Sequence, residues 1–312
     1  MKIVFLGTPD FAVPTLEKLH SEGHHILLAV SQPDRPAGRG QKMRPTPVAA
    51  KAAALGIPVY QPEDVNTDES LEKIGALKPD VIVVAAFGQF LKKRFRELAP
   101  RGCLNVHASL LPKLRGAAPI NRAVMEGHST AGVTIMKIEA KMDAGDMYLK
   151  GETPIGPETT AGELHDRLAA IGAELMTETL RRIEAETIYP VPQNHAGATH
   201  APKITPEERR IDWTLPTTAV DQKIRGLSPA PGAFTFYKGA RLQILRSRLA
   251  AEGARKAPGT VTALKSGYFE VSAGNGTVAV LEVRAEGKKT MNAAEWARGA
   301  RIQVGDLFEH GL

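Results

Sequence analysis

The chain has a single cysteine, Cys103, in 312 residues. No internal disulfide is possible, and a reducing cytoplasm is the expected location. No run approaches the ~20 consecutive apolar residues of a membrane span. The sequence opens directly on MKIVFLGTP, a strand and a turn, without the basic stretch and apolar core of a secretory leader. GTPDFA after the first strand lacks the second and third glycines of G-x-G-x-x-G, so close approach to a dinucleotide pyrophosphate is not provided for. Tight strand-to-helix packing is the expectation there. The G-x-S-x-G elbow of serine hydrolases is missing. One cysteine allows no C-x-x-C knuckle, and no metal is expected.

What remains is ordinary for a globular chain, with 43% hydrophobic and 24% charged residues. The charge is unevenly spread. Residues 1–202 hold 23 Lys and Arg against 23 Asp and Glu, whereas residues 203–312 hold 17 against 11. The whole excess of +6 lies in the last third, which points to an anionic partner, nucleic acid first. A basic solvated face is the plainer reading of the same numbers.

Strands and helices alternate through the first 188 residues. KIVFLG (2–7), HHILLAVSQ (24–32), PVYQP, DVIVVAAFG (80–88), GCLNVHAS (102–109), AGVTIMKIE (131–139) and MYLKGETPI (147–155) read as strands. Helices are expected from Pro14 to Gly23 and over 46–56, 70–79, 119–127 and 160–185. The last carries Leu164, Leu168, Ile171, Leu175, Met176 and Leu180 on one stripe. Apolar strands between helices imply a Rossmann-like, mostly parallel α/β sheet with helices on both faces. Residues 189–206, rich in Pro, Ala, Gly and His, read as a linker. Residues 207–312 hold a short helix near 217–226, five or so short strands and a capping box, Asn292 with Glu295, before a last helix. That pattern suggests a smaller OB-like β-barrel, a fold that often binds nucleic acid.

Two places bear chemistry. QPDRPAGRGQKMRPTP (32–47) is far longer than the usual two to six residues between strand and helix, and holds Arg35, Arg39, Lys42 and Arg44 against Asp34. A loop at the carboxyl edge of an α/β sheet is at its binding edge. The second place is CLNVHASLLPKLRG (103–116). Asn105 and His107 are two apart on a strand, so they share a face with Cα atoms about 7 Å apart. Cys103 lies on that face but about 13 Å from His107, too far for a Cys–His pair. A carboxylate should orient the histidine, and KIEAKMDAGDMY (137–148) offers Asp143 and Asp146. This segment is expected to leave the carboxyl edge of the neighbouring strand. Spacing alone does not choose between the two.

NVHASLLPKLRGAAPI followed by GVTIMKIEAKMDAGD resembles the formyltransferases that use 10-formyltetrahydrofolate. The resemblance implies a catalytic trio of Asn105, His107 and Asp143. It implies a folate site at Ser109, Leu110, Leu111 and Pro112 and at Phe87 and Gly88. Leu114 stands where an aromatic residue is frequent, and Phe87 where tyrosine is common. Within the family, FLGTPDFAVPTLEKL and QPDRPAGRGQKMRPTPV resemble the members that formylate methionyl initiator tRNA in bacterial translation initiation. Arg35, Arg39, Lys42 and Arg44 are then tRNA-binding, and the carboxy-terminal barrel binds tRNA too. The expected state is a monomer without membrane association. The alternatives are a sugar-nucleotide N-formyltransferase with the same donor, a glycinamide-ribonucleotide formyltransferase, a formate-releasing hydrolase, and a tRNA-binding module with a vestigial site.

Overall fold

A computed structural model describes residues 1–37, 42–252 and 256–309. The described contacts divide the chain into two units. One is Met1–Gly116, Gly132–Thr153 and His165–His200; the other is Ala117–Ala131, Pro154–Leu164 and Ala201–Leu312. Two short segments, 117–131 and 154–164, therefore group with the carboxy-terminal part although they precede it by many residues.

The strands of the first half are β1 (Lys2–Gly7), β2 (His25–Val30), β3 (Arg35–Ala37), β4 (Lys42–Arg44), β5 (Val59–Tyr60), β6 (Val81–Ala85), β7 (Cys103–His107), β8 (Thr130–Lys137) and β9 (Met147–Pro154). The helices are α1 (Val13–Ser21), α2 (Pro47–Ala54), α3 (Asp68–Ala76), α4 (Lys93–Arg96), α5 (Pro119–Met125) and α6 (Ala161–Glu184). Seven strands form one sheet in the order β5-β2-β1-β6-β7-β8-β9. Neighbours from β5 to β7 run parallel.

Apolar side chains alternate across this sheet and are buried on both sides, as a two-faced α/β sheet requires. Val4, Leu6, Ile82 and Val84 pack with Leu71 and Ile74 of α3 and Phe95 of α4. Ile3, Phe5, Val81 and Val83, pointing the other way, are also buried. The α6 stripe closes the sheet beyond β7, where a Cβ on Gly172 would come within 2.6 Å of Val106. Gly7 answers the expectation for GTPDFA. A Cβ there would meet Ala12 at 2.7 Å and the Ala85 carbonyl at 3.0 Å, so strand and helix meet too closely for any side chain.

One expectation fails in direction. β8 is antiparallel to β7, with His107 opposite Thr134 and Leu104 opposite Lys137. The carboxyl end of β8 therefore lies beside the amino end of β7, not at its carboxyl edge. Residues 138–146 must double back to bring any carboxylate to His107. Alternation of apolar residues reports burial and is blind to strand direction, which is why the sequence did not reveal the reversal.

The second unit contains α7 (Thr217–Gly226), β10 (Ala233–Tyr237), β11 (Ala240–Glu252), β12 (Val261–Leu264), β13 (Phe269–Ala273), β14 (Gly276–Ala285), β15 (Met291–Asn292) and α8 (Ala293–Ala300). The antiparallel order is β10-β11-β14-β13-β12, with β15 on β14. Trp213, Phe269 and Phe308 lie fully buried at its centre. The indole N–H of Trp213 donates to the Thr235 hydroxyl at 3.2 Å. Asn292 caps α8, its Oδ1 accepting from the amides of Ala294 and Glu295. The buried Asp221–Arg225 pair at 2.7 Å is completed by the Ser247 hydroxyl, which donates to Asp221.

Gly132 of β8 is the tightest packing point behind the SLLP segment. A Cβ there would lie 2.3 Å from the Gly151 carbonyl and 2.4 Å from the Leu110 side chain. Backbone cannot give way as a flexible side chain can. Gly132→Ala is expected to cost roughly 1–3 kcal/mol, the range of overpacked interiors. Urea unfolding measures this, and an unchanged midpoint would contradict the packing described.

Candidate active site

β7 ends at His107, and the chain turns at once. The Ser109 amide donates to the His107 carbonyl at 2.9 Å, and the Ser109 hydroxyl to the Lys113 carbonyl at 2.6 Å. Thr134, opposite His107 on β8, fixes the turn from behind. Its hydroxyl donates to the Ser109 carbonyl at 2.7 Å and accepts from the Leu111 amide at 3.1 Å. Lys150 donates to the Leu111 carbonyl at 2.5 Å, and partial burial lowers its pKa. Ser109, Leu110, Leu111 and Pro112 thus form a braced loop directly after the histidine.

His107 is 6% exposed. Its Nε2 lies 3.1 Å from the Leu114 carbonyl. A carbonyl only accepts, so Nε2 carries a proton in this bond. Its Nδ1 faces Asp143 Oδ1 at 3.7 Å, and Asp143 Oδ2 accepts from the Gly116 amide at 2.8 Å. Both neighbours of the ring are acceptors, so a proton on either nitrogen finds one. Asp143, rather than Asp146, is the aspartate brought to His107. Asn105 is partly exposed, and its side-chain amide has no hydrogen-bond partner among the described residues.

Backbone geometry here is uncommon. Leu114 has φ 57° and Asp143 φ 50°, both left-handed. Aspartate tolerates that region better than leucine does. Such conformations cost on the order of 1–3 kcal/mol and persist only where surroundings impose them. Leu114, the departure noted in the sequence, is buried at 6%. Its backbone matters as much as its side chain, because the turn aims its carbonyl at the histidine.

The surroundings that impose this geometry were not legible. Gln193 Nε2 donates to the carbonyls of Asp143 at 2.8 Å and Gly145 at 2.7 Å. Its Oε1 accepts from Arg115 at 2.5 Å. Arg115 is 3% exposed and also donates to His195 Nδ1 at 2.9 Å, while its buried Nε has no partner among the described residues. Thr199 accepts from the Leu114 amide with its hydroxyl and from the Arg115 amide with its carbonyl, both at 2.9 Å. Residues 193–199, read as linker, therefore fasten the segments that carry Leu114 and Asp143. The one signal was the polar Gln193 amid prolines, which composition cannot distinguish from a solvated loop. Gly145 is required as well, since a Cβ there would lie 2.0 Å from the Lys137 carbonyl.

Cys103 is buried and its thiol is pushed up to about 12 by that burial, as a packing residue requires. Phe87 is 2% exposed and packs in the core of the sheet, and its carbonyl accepts from the Thr8 hydroxyl at 3.0 Å. Gly88, with φ 90°, is exposed beside it. Of the basic segment, β3 and β4 form a two-stranded ribbon in which Arg35 is opposite Arg44. Both are exposed. Like charges directly across a ladder are unfavourable. Asp34 forms no ion pair with either among the described residues, and its Oδ1 accepts from the Thr46 amide and Gln61. Lys42 belongs to β4, and Arg39 lies outside the described residues.

Residues 1–180 match the formyl transferase family model, and residues 203–301 match the formyl transferase C-terminal domain. This chain belongs to the formyl transferase family. It is 46% identical over 308 residues to the methionyl-tRNA formyltransferase of Moorella thermoacetica, covering 99% of each chain. Among solved structures it is similar in fold to the N-formyltransferase of Helicobacter canadensis, with TM-score 0.70, 19% identity, and 90% and 99% of the two chains covered. HypX from Aquifex aeolicus in complex with tetrahydrofolic acid matches at TM-score 0.69 and 18% identity, over 98% of this chain. This formyl transferase spans 48% of the length of HypX. No helix among the described residues is long and apolar enough to cross a membrane.

Gln193→Ala removes a side chain that ties Arg115 to the backbone at Asp143 and Gly145. Buried carbonyls left without a donor cost ~1–3 kcal/mol each. Amide hydrogen exchange across 138–146 is expected to accelerate at least about tenfold, with β1 and β6 unaffected. Unchanged exchange in that segment would show that Gln193 does not hold it.

Proposed function

We propose that this formyl transferase moves the formyl group of 10-formyltetrahydrofolate to the free α-amine of methionine on initiator tRNA. The observation that carries the chemistry is Asn105 beside His107. One is an amide without a partner among the described residues, and the other is a ring held between the Leu114 carbonyl and Asp143. The methionyl-tRNA substrate rests on the near-complete match to the Moorella thermoacetica enzyme.

The amine attacks the formyl carbon and a tetrahedral intermediate forms, with negative charge on the former formyl oxygen. Asn105 donates an N–H to that oxygen. A donor of this kind contributes ~3–4 kcal/mol to lowering a barrier. The carbon–N10 bond then breaks, and N10 takes up a proton equivalent to the one the amine gives up. His107, oriented by Asp143, relays it. In the described state Nε2 donates to Leu114, so His107 must exchange that bond before it can touch substrate. Catalytic hydrogen bonds commonly form only in the complex.

The braced loop 109–112 and the turn at Phe87 and Gly88 take the folate in this reading. Residues 1–188 are the catalytic domain, 189–206 a connecting segment, and 207–312 an OB-like tRNA-binding domain in the cytoplasmic enzyme. Arg35, Lys42 and Arg44 of the ribbon strands, with Arg39 of the same basic sequence segment, meet the acceptor end of the tRNA, whose phosphates relieve the Arg35–Arg44 opposition. A sugar-nucleotide acceptor offers only its diphosphate to these four cations, whereas a tRNA end offers a run of phosphates.

Asn105→Ala, His107→Ala and Asp143→Asn are each expected to lower turnover roughly 100- to 1,000-fold, the first by loss of a transition-state donor and the other two by loss or misorientation of the proton relay. Binding of the tRNA should survive. The assay offers methionyl initiator tRNA and, separately, an amino-sugar nucleotide with the formyl donor. Near-normal turnover in Asn105→Ala would remove the trio, and formylation of the sugar alone would remove the tRNA acceptor. In the same assay, Arg35→Ala with Arg44→Ala should raise KM for tRNA about tenfold and leave kcat within twofold, because each lost phosphate contact weakens binding without touching the chemistry. An unchanged KM would count against the ribbon.

A further inference from the structure

A cleft of about 820 Å³ opens at the other end of β7 from the candidate site. The first unit alone forms it, from the end of α4, the turn before β7, the end of β8, β9 and the chain after α6. Cys103, which lines it, and His107 are the two ends of β7, about 13 Å apart. Small-molecule sites occupy roughly 300–1,000 Å³, with apolar walls and a few polar groups that orient the ligand. Ile138, Ile183, Ile188 and the rings of Tyr148 and Tyr189 supply the apolar wall here. Tyr189 stands 74% exposed.

Three cations from three separate elements line the same cleft: Arg96 of α4, Arg101 of the turn and Lys137 of β8. Among the described residues none of them forms an ion pair, although Lys93 and Arg94 of α4 pair with Glu97 and Asp68. Arg101 donates to the Ile183 carbonyl at 3.2 Å. The Nη1 of Arg96 is buried with no partner among the described residues. A buried charged donor without an acceptor is unfavourable, more so than a neutral one. The charge of Arg96 is felt at the wall of the cleft, where it opposes the burial that pushes up the Cys103 thiol. Burial and Asp146 both raise the pKa of Tyr148, so its hydroxyl stays protonated and able to donate. Arg96 and Lys137 are half-buried, whereas the carboxylates that share the lining, Glu97, Glu139 and Glu186, are exposed. A chain of phosphates would meet those carboxylates on entry. A single anionic head group can reach the cations behind them.

We propose that this cleft binds a small organic anion, its carboxylate or phosphate head on Arg96 and Lys137 and its flat apolar body against Ile138, Ile183 and Tyr148. The head group gives Arg96 Nη1 the acceptor it lacks, and a guanidinium fork suits paired oxygens. A bare inorganic ion would satisfy the cations and leave the apolar wall in water, so the body is part of the assignment. The site stands at the root of the segment that carries Asp143. Ile138 and Glu139 line it, and the Lys137 amide donates to the Asp146 carbonyl at 2.8 Å. It uses none of the candidate catalytic residues and does not depend on the reaction proposed above.

Calorimetric titration of the full chain in low salt tests this. The probes are phenylacetate and phenyl phosphate, and the controls are phenylacetamide, acetate and inorganic phosphate. At least one probe is expected to bind with a Kd below about 1 mM, an affinity open to a ligand of about ten heavy atoms. The tighter probe identifies the head group. Controls that lack the charge or the ring should bind at least about tenfold more weakly than the probe they match. Arg96→Gln and, separately, Lys137→Gln should each weaken the tighter probe about tenfold or more, while Arg96→Lys keeps part of the affinity. Matching urea midpoints establish that a variant folds, and two independent positions keep the test open if one does not. Absence of binding by both probes overturns the proposal. So does an unchanged Kd in a folded glutamine variant, or a control that binds as tightly as its probe. Loss of probe binding in His107→Ala also overturns it, because the anion would then sit in the candidate active site.

Discussion

The candidate site depends on one carboxylate being returned to a place the sheet does not take it. β8 carries the chain away from the carboxyl end of β7. Residues 138–146 must then bring Asp143 back until one oxygen takes the Gly116 amide and the other faces His107. That return is conformationally unfavourable, and the features around it offset the cost. Gly145 lets the chain pass the Lys137 carbonyl, Gln193 holds the Asp143 and Gly145 carbonyls, and the left-handed turn at Asp143 points the carboxylate inward.

The same logic places Leu114. Its left-handed turn delivers a carbonyl to His107 Nε2, and Thr199 fixes the amide on the other side. The histidine is thus held by backbone on one side and a carboxylate on the other. Where many active-site histidines point one nitrogen at open space, this ring gives neither away before substrate arrives. The open group at the sheet edge is the Asn105 amide.

Much of this was legible beforehand, for identifiable reasons. Strand alternation placed Asn105 and His107 on one face, distance along the strand set Cys103 apart, and the apolar stripe marked α6 almost to its ends. Asn292 marked the start of α8 because a cap is a local interaction. The illegible parts are all nonlocal. The reversal of β8, the bond from Gln193 across 50 residues to Asp143, and the grouping of 117–131 with the distant carboxy-terminal part leave no periodic trace. The charge asymmetry was visible as a total, but only the sheet register collected Arg241 and Arg284 onto one face beside Gln243.

The lone thiol has a practical consequence. Cys103 lies in the core of the sheet, and burial keeps it protonated well beyond neutral pH. A folded molecule therefore offers no competing nucleophile of this kind to a maleimide. One cysteine introduced at the tip of the β10–β11 turn, and another on the ribbon, could each be given a dye with no background and no need to remove a native residue. The emission of each dye, with and without RNA, would then report binding at the labelled place alone.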